Sequence, residues 1–329
     1  MEVVSGMDIK ILQDRIDKEL VGLDLSIHPR SLYDPIRYTL SFGGKRMRPV
    51  FLLLASELFG EDYEHALSAA LAIEVFHNFT LIHDDLMDDA PLRRNRETVH
   101  VRWSPNVAVL SGDAMMVKAY QLISETNTPK LKVILDHFNK AAFKVCEGQQ
   151  LDMEFESSKE TSLGDYMKMI ELKTSALLSV SLQIGGIIGG GNESDIQCLF
   201  ELGRNIGTAF QLQDDVLDVF GNFEKFGKQR GGDIISGKKT YLYLKALELA
   251  DEDKALELSG LLTNNDLSPT EKVESVSNMY ELLNVVDAAK AEISNYHRMG
   301  VQNINDISTD SDSKLNLMNV CNSLMKREL

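Results

Sequence analysis

Apolar residues recur along this chain at three- and four-residue spacing over long stretches free of Pro and Gly, while alternating strand patterns are hard to find. That period marks amphipathic helices. The clearest runs from Ala66 to Asp89, where Leu67, Leu71, Ile73, Val75, Phe76, Phe79, Leu81 and Ile82 occur nearly all round, as in a helix inside a bundle; Pro91 stops it soon after. Further helices are expected near Pro49 to Phe59, Asn106 to Ser124, Leu131 to Phe155, Leu163 to Ile187, Ile196 to Phe220, Tyr241 to Leu262, Thr270 to Met299 and Lys314 to Lys326. With seven prolines and no linker dividing a core, the pattern predicts an all-α, single-domain fold over residues 1–329. The glycine-rich, charged stretch at about 221–237 reads as a long surface loop able to act as a lid, and Ser308 to Ser313 as a solvated polar stretch.

Composition narrows the function classes. The 34 basic and 50 acidic side chains leave a formal charge of -16, which argues against a general nucleic-acid or anionic-membrane binder. Cys146, Cys198 and Cys321 lack metal-type spacing and suggest neither a disulfide framework nor a zinc site. The amino terminus lacks the basic start and apolar run of a signal peptide, and the apolar segment Leu177 to Gly191 is interrupted by Gln183 and glycines. A cytoplasmic protein without a membrane span is expected.

Two acidic rows stand out. In Leu81-Ile-His-Asp-Asp-Leu-Met-Asp-Asp89 the pairs Asp84/Asp88 and Asp85/Asp89 are four residues apart, so each pair shares a helix face. The pattern returns in Phe210-Gln-Leu-Gln-Asp-Asp-Val-Leu-Asp218, where Gln211, Asp214, Asp215 and Asp218 follow i, i+3, i+4, i+7. Carboxylates in an apolar wall are costly unless a cation balances them, and hard oxygen ligands favour magnesium bridging to phosphates. A single row could be a solvated acidic face, and Glu74-x-x-His77 and Glu97-x-x-His100 have the spacing of a di-iron centre; a calcium loop is disfavoured by the missing glycine turn.

Basic clusters sharpen the picture. Gly43-Gly-Lys-Arg-Met-Arg-Pro49 puts Lys45, Arg46 and Arg48 beside two glycines, and Arg93-Arg94-Asn95-Arg96 follows the first acidic row. Lys173-Thr174, Lys228 and Lys238-Lys239-Thr240 add phosphate-type donors. Each alone could be an exposed basic patch. Together with the acidic rows they describe two neighbouring anions, one held by metal and one by cations.

From about Tyr33 to Leu244 these motifs, with Gly148-Gln149 and Gly227-Lys228, occur in an order that resembles the trans-isoprenyl diphosphate synthases, the polyprenyl synthetase family. One departure is Asn95, where the family usually has Gly after the paired arginines; asparagine tolerates left-handed backbone, so the turn is expected to survive. The resemblance implies a helical bundle around a deep central cavity, of the isoprenoid synthase type, working as a homodimer. It implies three magnesium ions, with Asp84, Asp88 and Asp214 as ligands and Asp85, Asp215 and Asp218 in support. It assigns Arg93, Lys173, Thr174, Gln211, Lys228 and Lys238 to an allylic diphosphate, and Lys45, Arg48, His77 and Arg94 to isopentenyl diphosphate. Gln149 and Asp152 would lie behind them.

By the same resemblance, Phe79, five residues before Asp84 and followed by the small Thr80, would be the floor that sets product length, with Phe76 a turn deeper. Core packing is the plainer reading of both. The implied product has twenty carbons, with fifteen as the neighbouring outcome. A class I terpene cyclase and a non-catalytic partner subunit are the rival readings.

Overall fold

The computed structural model describes residues 9–25, 28–158, 160–221, 230–264, 266–309 and 312–325. In chain order they form α1 (Ile9–Val21), α2 (Arg30–Leu40), α3 (Met47–Glu57), a 3-10 turn (Tyr63–Ala66), α4 (Leu67–Met87), a hairpin of β1 (Leu92–Arg93) and β2 (Arg96–Glu97), α5 (Val99–Arg102) and α6 (Pro105–Ser124). There follow α7 (Leu131–Ser157), α8 (Leu163–Ile170), a π-helical turn (Glu171–Ser175), α9 (Ala176–Ile188), α10 (Glu193–Phe220), α11 (Gly232–Ile235) and α12 (Tyr241–Leu249). The last four helices are α13 (Glu252–Thr263), α14 (Pro269–Leu282), α15 (Val285–Asp306) and α16 (Asp312–Met325). The fold is all-α, the hairpin being the one piece of sheet among the described residues.

Three expected helices are interrupted, each for a local reason. The run from Leu163 passes through the π-turn, which leaves the helix continuous but changes its phase. The run from Tyr241 breaks because the Asp251 carboxylate accepts from Lys254 N at 2.9 Å and caps a new helix. The run from Thr270 breaks at Asn284, whose φ of 54° is left-handed. The periodicity reading did not include α1 or α2; α1 buries only Leu12, Ile16 and Leu20.

Two compact units emerge, each built from three stretches of chain: Met1–Ala141 with Leu177–Glu201 and Asn303–Val320, and Ala142–Ala176 with Leu202–Gln302 and Cys321–Leu329. In the first unit α4 packs against α3 and α6. The segment Tyr63–Met87 is long and apolar enough by composition to cross a membrane, but 72 % of its apolar window is buried inside the structure, so that apolar surface serves as core. Glycines in and just after α9 let it lie directly on α3, since a Cβ on Gly185 would strike Leu52 O and one on Gly189 would strike Ser56 O. The stretch from Ser308, expected to be solvated, is exposed at Ser308 and half-buried at Thr309, and it is also anchored: Ser308 N and Oγ donate to Asp195 at 2.8 and 2.6 Å, and Thr309 Oγ1 donates to Leu58 O at 3.1 Å. Residues 310–311 lie outside the described residues.

The second unit's core joins Tyr166 and Met169 of α8, Leu212 and Val216 of α10, Leu242 of α12 and Tyr280 of α14. Two glycines admit neighbours to the π-turn. A Cβ on Gly148 of α7 would collide with the Lys173 backbone, and one on Gly207 of α10 would come within 2.8 Å of Ser175 Cα.

Gly185→Ala should lower stability by about 1–3 kcal/mol, because the collision is with backbone that must shift. Gly260→Ala, in α13 with nothing within 4 Å of the added Cβ, should raise it by roughly 0.5–1 kcal/mol. Urea unfolding of the two variants beside the parent checks both signs.

Candidate active site

Both acidic rows occupy the carboxyl-terminal ends of helices. Asp84 and Asp85 lie in the last turn of α4 and Asp88 is its C-cap; Asp214, Asp215 and Asp218 lie in the last two turns of α10. Neither helix has a basic residue in its last turn. Since a helix C-terminus already carries partial negative charge, these carboxylates reinforce an electrostatic hole that suits a cation. Asp84 is half-buried and Asp88 exposed, four residues apart on one face. Asp85 is buried, and Arg93 claims it: Arg93 Nε lies 2.8 Å from both carboxylate oxygens and Nη2 lies 2.7 Å from Oδ1. Even so, burial raises the Asp85 pKa above the usual carboxylate value.

The basic residues of the first unit form a separate seat. Arg93 and Arg94 ride on the hairpin, whose two-residue turn has positive φ at both central positions, 52° at Arg94 and 61° at Asn95, so asparagine adopts the left-handed turn expected of it. Tyr38 OH donates to Glu97 O at 3.0 Å and ties the hairpin to α2. The Arg94 guanidinium donates to Gly43 O and lies so close over Gly44 that a Cβ there would come within 2.6 Å of Nη1. Arg48 Nη1 sits 3.1 Å from His77 Nε2. Arginine can only donate, so His77 accepts through Nε2 and carries its proton on Nδ1. Burial, and then the charges of Arg48, Arg93, Arg94 and Arg46, hold the His77 pKa well below its ordinary value and keep the ring neutral. Arg46 differs from its neighbours: it is buried and bonds to Glu74 at 2.6 Å and Asp17 at 2.8 Å.

Those contacts dispose of the di-iron spacing. Glu74 is bound to Arg46, His77 to Arg48, and Glu97 is exposed on the hairpin. Among the described residues no group of three His, Cys, Asp or Glu side chains converges as a ready-made metal cage. Magnesium seldom needs one, because it keeps its waters and binds through one or two carboxylates plus substrate phosphate. The all-carboxylate donor set at both helix ends fits that ion.

Phe79 and Phe76 stand below the first row. Phe79 meets Phe76 edge-on at 5.2 Å and His83 at 4.9 Å, and Phe76 meets Phe138 at 5.2 Å. His83 fills the gap to α6, where Gly112 leaves room that a Cβ would take.

In the second unit Lys173, Thr174, Gln211, Asp215 and Lys238 line one cavity of about 150 Å³ together with Asp152. Lys173 Nζ pairs with Asp152 at 2.6 Å, and Thr174 Oγ1 donates to Gln211 Oε1 at 3.0 Å. Gln211 Nε2 in turn donates to Asp215 Oδ1 at 3.0 Å. Gln149 is buried on α7, one turn before Asp152. Asp218 Oδ2 accepts from Asp233 N at 3.1 Å and so holds α11. Lys228 and residues 222–229 of the expected lid lie outside the described residues. Arg93, assigned to the same anion as Lys173, belongs to the first unit.

Residues 29–283 match the family model for polyprenyl synthetases. The chain belongs to that family. It is 34 % identical to a geranylgeranyl diphosphate synthase of Methanosarcina mazei over 98 % of this chain and 97 % of that protein. A short chain isoprenyl diphosphate synthase of Methanocaldococcus jannaschii is 41 % identical, with 82 % and 81 % covered. A crystal structure of a geranylgeranyl pyrophosphate synthase superposes with a TM-score of 0.93 at 41 % identity, covering 98 % and 99 % of the two chains. Polyprenyl synthetases are magnesium-using prenyltransferases, and this membership does not favour the terpene cyclase reading.

Two residues of this polyprenyl synthetase escaped the sequence reading: Tyr166 OH donates to Asp215 Oδ2 at 2.5 Å, and Asp233 lines the same cavity. Lys239, expected as a phosphate-type donor, instead donates through Nζ to Phe155 O at 2.8 Å and to Ser158 O, capping α7. Asp233 sits close to motif residues and was findable; Tyr166 looks like any core aromatic.

Asp215 supplies a pH signature. Burial, and then the charge of Asp233, push its carboxyl up to about 8 against the hydrogen bonds from Tyr166, Gln211 and Tyr241 N. In the unfolded chain it titrates near ~4. Between those values the folded, metal-free protein holds the extra proton, so this group makes stability fall as pH rises from about 4 to about 8. Melting curves in chelator should show that fall in the parent and a shallower one in Asp215→Asn.

Proposed function

We propose that this chain condenses isopentenyl diphosphate head-to-tail with an allylic diphosphate, releasing diphosphate and an all-trans prenyl diphosphate of twenty carbons, with fifteen as the neighbouring outcome. The observation that carries this reading is the pairing, within one unit, of an acidic helix end with a separate cation seat of Arg48, His77 and Arg94. A cyclase acts on a single diphosphate and has no use for the second seat. A non-catalytic subunit has no use for two intact acidic rows. The likeness to synthases named for geranylgeranyl diphosphate supports the twenty-carbon product.

In this proposal Asp84, Asp88 and Asp214 bind three magnesium ions, with Asp85, Asp215 and Asp218 in support. When bound, magnesium supplies positive charge to the departing diphosphate. Lys173, Thr174, Gln211, Lys238, Arg93 and Lys228 receive the allylic diphosphate. Asp152 holds the Lys173 ammonium ready at 2.6 Å, and Thr174 and Gln211 already share a hydrogen bond, so these donors are preorganised. Lys45, Arg48 and Arg94 receive isopentenyl diphosphate, and the neutral His77 adds its Nδ1–H without adding charge.

The allylic C–O bond breaks, the isopentenyl double bond attacks the allylic carbon, and the departing diphosphate takes the proton released from the adduct. No side-chain nucleophile is required. Phe79, braced by Phe76 and His83, forms the floor beneath the growing chain. A homodimer is supported by exposed apolar side chains along α6, namely Val109, Leu110 and Val117, and by Val101 before it. Three free thiols agree with a cytoplasmic setting. The whole chain serves as one catalytic domain.

Incubation with magnesium, isopentenyl diphosphate and each of dimethylallyl, geranyl and farnesyl diphosphate should give chain extension ending at twenty carbons. No extension from any starter removes the proposal, and a cyclic hydrocarbon from farnesyl diphosphate alone turns it toward a cyclase. Asp84→Asn and Asp214→Asn should each lower kcat by about 100-fold or more. Phe79→Ala should lengthen the product by at least one isoprene unit; an unchanged product would remove Phe79 as the floor.

A further inference from the structure

The cation seat is held from behind by a helix that the family motifs do not include. Helix α1 spans residues 9–21, ahead of the matched range that begins at residue 29. Two of its side chains, four residues apart and therefore on one face, reach the Lys45–Arg46 segment that leads into α3, whose second residue is Arg48. Gln13 Nε2 donates to Lys45 O at 2.6 Å, and Asp17 Oδ1 accepts from Arg46 Nε at 2.8 Å. The loop has little freedom left. Arg46 is left-handed at φ 47°, and its other two nitrogens donate to Glu74 Oε1 at 2.6 Å and Leu40 O at 3.0 Å. Asn78 Nδ2 fixes Glu74 Oε1 from the other side at 3.0 Å.

From this arrangement we propose that α1 is a specificity element for the metal-free diphosphate, with Gln13 and Asp17 as positioning residues that set the orientation of Lys45 and Arg48. The inference rests on reading Lys45, Arg48 and Arg94 as the isopentenyl diphosphate seat. Its physical basis is that a left-handed arginine in a glycine-led loop keeps its geometry only while its neighbours hold it. Releasing the Lys45 carbonyl and the Arg46 guanidinium on the α1 side lets the segment that leads into α3 sample orientations in which Lys45 and Arg48 no longer keep their relative placement. The acidic row of α4 is not in this chain of contacts. Binding of the allylic partner should therefore be spared.

The test uses the full chain with Gln13→Leu, Asp17→Asn and their combination, both changes being close in size to the parent side chain. Steady-state rates are measured with isopentenyl diphosphate varied at saturating allylic diphosphate, and the reverse. The double variant should raise KM for isopentenyl diphosphate about five- to tenfold, with KM for the allylic substrate and kcat within about twofold. A merely structural role would lower the active fraction and the melting temperature without separating the two KM values. Lys45→Gln and Arg48→Gln serve as reference variants. If they raise KM for isopentenyl diphosphate and the α1 variants do not, the inference is wrong and the seat stands. If they too leave that KM unchanged, the seat reading itself fails. Should the double variant not fold, Gln13→Leu alone, which removes one half-exposed donor, must still move KM for isopentenyl diphosphate in the same direction.

Discussion

A helix C-terminus carries the equivalent of about half a negative charge, and this protein adds carboxylates to two such ends without placing a basic residue in either last turn. Each end is unfavourable by itself, and carboxylates at i and i+4 repel further. The inner carboxylates of the two rows are handled in different ways. Asp85 is neutralised by Arg93, and Asp215, held by the neutral donors Tyr166 and Gln211, keeps its proton up to about pH 8. Asp84 is half-buried and Asp88 exposed. Carboxylates so placed at a helix C-terminus suit divalent charge that arrives with phosphate oxygens to complete its coordination.

The opposite charge is arranged by the same economy of burial. Three cations lie within four residues at the start of α3, yet they have different work. Arg46 turns inward, where an unpaired Glu74 would be costly in the core. Its pairing leaves Lys45 and Arg48 on either side of an anchored residue. Arg94 then closes over Gly43 and Gly44, a contact available only because position 44 has no side chain. The seat is cation-dense enough to keep His77 neutral, which is why an imidazole can sit there without adding repulsion of its own.

Much of this was legible in the residue pattern. The all-round apolar run located α4 to within two residues at either end, the acidic spacing identified both charged helix ends, and Asn95 marked the hairpin turn. Sequence spacing could not separate Arg46 from Lys45 and Arg48, because inward and outward orientation depends on Glu74 and Asp17, which lie 28 and 29 residues away. Helix α1 was missed although Leu12, Ile16 and Leu20 keep a four-residue period, because charged side chains crowd the positions between them. Tyr166 was hidden for a related reason: its hydroxyl finds Asp215 across 49 residues of chain, and nothing local distinguishes it from packing.

The π-turn at Glu171–Ser175 has a consequence for how this segment tolerates change in length. A π-turn holds one residue more than the α-helical ladder needs. Deleting a residue there would restore the ladder with the flanking turns in nearly their present phase, whereas a deletion in the regular helix on either side would rotate everything beyond the cut by about 100°. What the first deletion removes is the wide turn itself, which carries Thr174 to Gln211 and to whose girth Gly148 and Gly207 are cut.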